Sequence, residues 1–195
     1  MRAVQRGQIV PFEQYEKLRP LLRPLFIAEK NRRRLAVGEH LSLLFENVQT
    51  VWYQVQEMLR TERISSEEGI GQELDTYNEL LPGPNELAAT MLIEFTEQER
   101  RDENLRMLVG LENHICLLIG ERRHQARFDL HQVSTQRVSS VQFLRFPLGG
   151  IDAQTFVANA AEGRIVVEVA HPQMAVQARI GGALAAALAE DLAQS

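Results

Sequence analysis

Between Phe45 and Glu62 the chain reads FENVQTVWYQVQEMLRTE, and within it apolar residues recur at helical spacing. Val48, Val51, Trp52, Val55, Met58 and Leu59 form one stripe, which predicts a helix with one buried side. Glu46, Thr50, Tyr53, Gln54, Glu57 and Thr61 follow the same spacing on the opposite side. Such a line of carboxylates, an amide and hydroxyls can be a ligand surface, a buried polar seam or a solvated face. All three readings remain open on the residues alone.

The flanking segments predict a mixed architecture. Phe12 to Lys30 reads as helical, with Tyr15, Leu18, Leu22, Leu25 and Phe26 on one face, but Pro20 and Pro24 should break or kink it. Leu35 to Phe45 reads as a buried strand bent at Gly38, and Ser65 with Glu68 as a capping box opening a helix towards Leu81. Pro82 to Asn85 is a turn. Leu87 to Phe95 reads as a strand, and Thr96 with Glu99 as a second capping box for a helix reaching about Val109.

From Leu111 to Ile119 the residues alternate, placing Leu111, Ile115, Leu117 and Ile119 on one face and Glu112, His114 and Cys116 on the other. A turn at Gly120 and Glu121 makes the returning strand agree in register. Ala126, Phe128 and Leu130 then join the apolar face, and Arg123, Gln125, Arg127 and Asp129 the polar one. Ser139 to Phe146 and Arg164 to Ala170 are further strands, Asp152 to Ala161 is a helix, and an alanine-rich helix closes the chain from Pro172. The expected fold is α+β: one domain over residues 1–195, with a largely antiparallel sheet packed by several helices.

Charge is uneven along the 195 residues. Residues 1–34 hold nine Lys or Arg against three Glu, a net of +6, whereas residues 35–104 hold four against fifteen, a net of −11. The basic helical segment 1–34 is therefore expected to pack on the acidic rest. An acidic total of −5 and the absence of a recognisable motif argue against nucleic acid as a partner, despite Arg32, Arg33 and Arg34. No apolar run approaches the roughly 20 residues that span a bilayer. No signal-like segment precedes Pro11 either, so a cytoplasmic location is expected. Cys116 is the one cysteine and reads as a small buried hydrophobe.

The polar positions give a candidate site made of Glu46, Tyr53, Gln54, Glu57, Glu94, Glu112, His114, Arg123 and Arg127. Glu112 and His114, two residues apart on one predicted strand face, are the candidate ligands of a divalent metal, while Arg123 or Arg127 could fix an anion. No other cofactor is indicated. Gly149 and Gly150 precede a helix whose first N–H groups could receive a phosphate. His171 and Pro172 read as the start of the last helix. Ala178, Gly182, Ala186 and Ala189 make a line of small residues, suited to packing on the sheet or to a homodimer through the C-terminal helix. Phosphate loops, dinucleotide fingerprints, CxxC pairs and nucleophile elbows are absent.

RRRLAVG, FENVQTVWYQVQEMLRTERI, ELDTYNELLPGPNELAATMLIE, SSVQFLRF and the later HP together resemble the bacterial domain-of-unknown-function family thirty-five zero one over nearly the whole chain. Its most specific part is Phe45, Glu46 and Asn47 followed by Gln54, Glu57, Met58, Leu59, Arg60 and Glu62. The resemblance implies no established activity. By association it implies a redox setting, with iron–sulfur oxidoreductase or rubrerythrin-like proteins as partners. Two functions follow as expectations: a non-catalytic accessory or interaction protein in that setting, or a metal-dependent or small-anion-binding enzyme with a carboxylate–His site.

Overall fold

Six helices and two antiparallel sheets make up the described residues, 3–95, 97–129 and 134–193 of the computed structural model, an α+β architecture. The first sheet holds β1 (Arg34–Val37), β2 (Leu41–Phe45), β3 (Glu86–Ile93), β7 (Val141–Pro147) and β6 (Arg127–Phe128), in that spatial order. The second holds β5 (Arg122–Gln125), β4 (Ile115–Ile119), β8 (Ile165–His171) and β9 (Met174–Arg179). Their inner faces share one apolar core. Leu43, Phe45, Met91, Leu144 and Phe146 supply one side, and Ile115, Leu117, Ile119, Val167 and Val169 the other. Each side chain so buried contributes about 1.5–3 kcal/mol.

The remaining elements are α1 (Phe12–Arg32), α2 (Val48–Thr61), α3 (Glu67–Asn78), α4 (Gln98–Met107), α5 (Ala153–Ala161) and α6 (Gly182–Ala193). Phe156 of α5 and Leu184, Leu188 and Leu192 of α6 join the core between the sheets. A second apolar cluster joins Val51, Val55 and Leu59 of α2 to Ile70 and Leu74 of α3, closed by Val4 and Ile9. The apolar stripe read from the sequence thus supplies the α2 side of this cluster, while Thr50, Tyr53 and Gln56, off that stripe, are buried as well. Asn47 caps that helix: its side chain accepts from the Thr50 N–H, and the Thr50 hydroxyl accepts from the Asn47 N–H.

Several expectations need correction. Leu35 to Phe45 is a hairpin, not one strand, because Gly38 at φ +69° turns the chain between β1 and β2. α1 runs unbroken through Pro20 and Pro24, both of which lie on its exposed side. Ser66 caps α3 instead of Ser65, accepting from the Gly69 N–H. The cap expected at Thr96 and the apolar position at Leu130 lie outside the described residues.

The β4–β5 hairpin turns at Gly120 and Glu121, pairing Ile119 with Arg122 and Cys116 with Gln125. β4 begins only at Ile115, however. Gly110 at φ +93° leads into a 3-10 turn over Leu111–Asn113, which buries Leu111 without an extended strand. After β5 the chain changes sheet at Ala126, so Arg123 and Arg127 belong to different sheets. The last helix starts at Gly182, because Pro172 and Gln173 turn β8 back into β9. Ala178 is therefore a strand residue, and the line of small residues is not one helical face. Seven positions of α6, Leu184, Ala185, Ala187, Leu188, Ala189, Asp191 and Leu192, are buried within the chain itself.

Candidate functional site

The polar line of α2 faces α1. Glu57 accepts from the Tyr15 hydroxyl and from Nε and Nη2 of Arg19, each at 2.8 Å. Gln54 accepts from Lys30 Nζ at 3.2 Å, Arg60 pairs with Glu16, and Phe26 stacks on both Trp52 and Tyr53. The Arg19 hydrogen bonds hold the Glu57 carboxyl below its usual range against the opposing effect of burial. Burial, reinforced by Glu57, pushes the Tyr15 phenol up, and burial pulls the Lys30 ammonium down. Tyr53, Gln54 and Glu57 thus form a seam between two helices, Tyr53 by stacking and Gln54 and Glu57 by hydrogen bonds to α1.

The candidate residues of the hairpin do not assemble. Glu112 lies on the 3-10 turn, accepting from Asn113 Nδ2 at 3.3 Å, while His114 follows that turn and sets its ring edge-on to His171. They share no strand face, so the i and i+2 ligand pair is not formed. His171, the last residue of β8 and not a helix cap, bonds through Nε2 to the Val109 carbonyl and through Nδ1 to the Gln173 N–H. Arg123 is engaged by Glu168 at 2.7 Å, beside Cys116, whose thiol burial pushes up. Glu94 is exposed and accepts from the Ser42 hydroxyl. No group of three or more His, Cys, Asp or Glu among the described residues is arranged to hold a metal ion. Gly149 and Gly150 do precede α5, but the Asp152 carboxylate accepts from the Thr155 N–H at 2.7 Å and occupies the place an anion would take.

Two of the nine residues, Glu46 and Arg127, line a common cleft of about 530 Å³ on the outer face of the first sheet. Its floor is Ala88 and Thr90 of β3 with Phe143 and Arg145 of β7, and its rims are the β6 edge with Asp129 and the end of α3 at Thr76, Glu79 and Leu80. Ala88 and Thr90 are small where a filled helix–sheet interface would carry Leu or Ile, and that missing bulk opens the cleft. Glu46, 7% exposed, follows β2 directly, its N–H bonded to the Ala88 carbonyl. Its carboxylate accepts from the hydroxyls of Thr50 at 2.5 Å and Thr90 at 2.6 Å.

Arg145 anchors the end of α3. It donates to the carbonyls of Leu81 and Glu79 and pairs with Glu86 at 2.6 Å. Arg127 stands opposite it in the ladder, exposed, with no ion-pair partner among the described residues. Sequence reasoning missed Arg145 and the small floor residues. The lone arginine in VQFLRFP and the pair Ala88–Ala89 within an otherwise bulky strand were the available signals.

A family model described as "Protein of unknown function (DUF3501)" matches residues 3–192. Among solved structures, the chain is similar to a "novel protein of unknown function" from Burkholderia pseudomallei K96243, a crystal structure at 1.90 Å resolution. The two are 36% identical, with 98% of this chain and 100% of that chain covered and a TM-score of 0.87. No curated protein matches.

Proposed function

The chain belongs to the DUF3501 family of unknown function, and from its own geometry we propose that it is a non-catalytic accessory protein that docks a partner protein through α1. The observation that carries this reading is a ridge of leucines left in solvent on a firmly held helix. Leu18, Leu21 and Leu25 recur at i, i+3 and i+7, with Leu21 71% and Leu25 66% exposed. The adjoining stripe of α1 is fixed by Tyr15, Arg19 and Phe26, so Leu18 and Leu25, read from the sequence as part of that face, stand outside it in solvent. This is the pattern of an amphipathic helix read by an apolar groove, and contiguous exposed apolar surface marks interaction sites.

Pairing α1 with its copy in a second chain would bring two helices of the same sign together, since Phe12–Arg32 holds five Lys or Arg against three Glu, a net of +2. A partner groove with an acidic rim complements Lys17 and Arg23, both exposed on α1. The family resemblance makes iron–sulfur oxidoreductase or rubrerythrin-like proteins the partners to try first, in the cytoplasm. No helix of the described residues is long and apolar enough to cross a membrane.

The test is gentle co-purification from the native host with wild type and a Leu21→Asp, Leu25→Asp variant, with sedimentation of the isolated proteins alongside. One redox protein retained by wild type and lost from the variant is the expected outcome. Recovery of wild type alone, or equal retention by both, overturns the proposal. Self-association of wild type abolished by the same variant would instead assign the ridge to a second copy.

A further inference from the structure

We propose that the cleft over β3 and β7 binds a small amino acid, its ammonium group at Glu46 and its carboxylate at Arg127. This stands apart from the α1 reading and rests on different residues.

Glu46 is a buried carboxylate whose described hydrogen-bond partners are two hydroxyls. A carboxylate taken out of water is costly unless a positive charge or several donors replace the lost hydration. Lys30 lies within electrostatic reach and offsets part of the charge, but its Nζ donates to Gln54 and fills no acceptor site of Glu46. Thr50 and Thr90 each fill one acceptor site, and a carboxylate has about four. Its two oxygens are therefore fixed in place with capacity left over, in the wall of a cleft. An ammonium group is the chemical complement.

The other end asks for the opposite charge. Arg127 and Arg145 are directly opposite on neighbouring antiparallel strands, an arrangement that is destabilising for like charges. Glu86 and two carbonyls compensate Arg145. Arg127 makes no such ion pair with a described residue, and Asp129, two positions along the same rim, is the nearest carboxylate in sequence; a planar guanidinium takes a ligand carboxylate through two parallel hydrogen bonds.

The register sets the span. Glu46 faces Ala88, Ala88 pairs with Arg145, and Arg145 with Arg127, so all four lie in one row across four strands. Three strand spacings put the Glu46 and Arg127 backbones roughly 14 Å apart across the sheet. Much of that distance is taken up by the two side chains and their hydrogen bonds. What is left suits an ammonium and a carboxylate a few carbons apart. A simple anion would meet Glu46, and a simple amine would meet Arg127. Charge complementarity therefore selects a ligand that carries both.

Calorimetric titration of the full chain with glycine, β-alanine, γ-aminobutyrate and L-alanine tests this, with propionate, propylamine and inorganic phosphate as single-charge probes. At least one amino acid is expected to bind at least tenfold more tightly than either propionate or propylamine. Arg127→Ala, at an exposed position, is expected to weaken that binding at least tenfold without lowering the thermal midpoint of the free protein, since it also removes the like charge facing Arg145. Glu46→Gln should weaken it too, and if that variant does not fold, the Arg127 variant and the single-charge probes still decide. Absence of binding by every amino acid up to millimolar concentration overturns the proposal. So does phosphate or propionate binding as tightly as the best amino acid, or an Arg127→Ala variant that binds unchanged.

Discussion

Replacing Asp191 by alanine removes one of the two partners of the most deeply buried charge among the described residues. Arg33 is 1% exposed. Its Nη1 and Nη2 donate to Asp191 at 2.6 and 2.9 Å, and its Nε to Glu29 at 2.5 Å, which ties the end of α1 to α6. Burial pushes the Asp191 carboxyl up, so Arg33 does not fully offset its lost hydration; the two carboxylates together keep Arg33 charged against its own burial. Two charge-assisted hydrogen bonds at about 1.5–3 kcal/mol each set the upper range of the loss. Glu29 stays behind to neutralise the guanidinium, which places Asp191→Ala at about 3 kcal/mol, the low end for a broken buried pair.

The same argument fixes the double variant. Arg33→Met with Asp191→Leu removes both charges and should lie within about 1 kcal/mol of wild type, because well-packed apolar groups can replace a buried pair at little cost. Urea unfolding at neutral pH, followed by far-UV circular dichroism, measures wild type, Arg33→Met, Asp191→Leu and the double variant as the four corners of the cycle, with Asp191→Ala alongside. A single-variant loss below about 1 kcal/mol would mean the pair is effectively hydrated. A double variant as unstable as the two singles combined would refute the idea that the unpaired charge is what destabilises.

Further outcomes follow from other contacts. Glu57 has a folded-state pKa below its ordinary value of 4.5, so its contribution to holding α1 is present above that pH and lost as pH falls through the depressed folded value. Trp52, the one tryptophan, stacks on Phe26 of α1 and should report the loosening as a change in fluorescence below about pH 4.5; Glu57→Gln should weaken the seam at neutral pH and shrink that change. Gly38→Ala should cost about 2–4 kcal/mol in chemical unfolding, combining a left-handed residue with a Cβ only 2.8 Å from Val176 Cγ1. Gly71→Ala, inside α3 with open space around the added methyl, should gain about 0.5–1 kcal/mol in the same assay. Alkylation of the native Cys116 by iodoacetamide should be at least tenfold slower than in denaturant, because the thiol is buried and its pKa raised.

The α+β class, the amphipathic α2, the turn at Gly120 and the register of the β4–β5 hairpin were all legible in the amino-acid order. Each depends on neighbours within a few residues, through helical spacing or strand alternation, and local backbone geometry enforces both. The α2 carboxylates were legible as a line, but not as a seam, because Arg19 and Tyr15 reach Glu57 only once α1 has packed. Nor could alternation separate Arg123 from Arg127. That division comes from the strand leaving one sheet for the other at Ala126, and pairing partners far along the chain determine it. Glu46 and Arg127 are 81 positions apart in the sequence, yet end in one row because β3 and β7 lie between them. Local order decided which residues are polar and, for α2 and the β4–β5 hairpin, which of them share a side. Only the packing of distant strands decided which charges are neutralised and which two line a common cleft, since electrostatic partnership depends on distance in space.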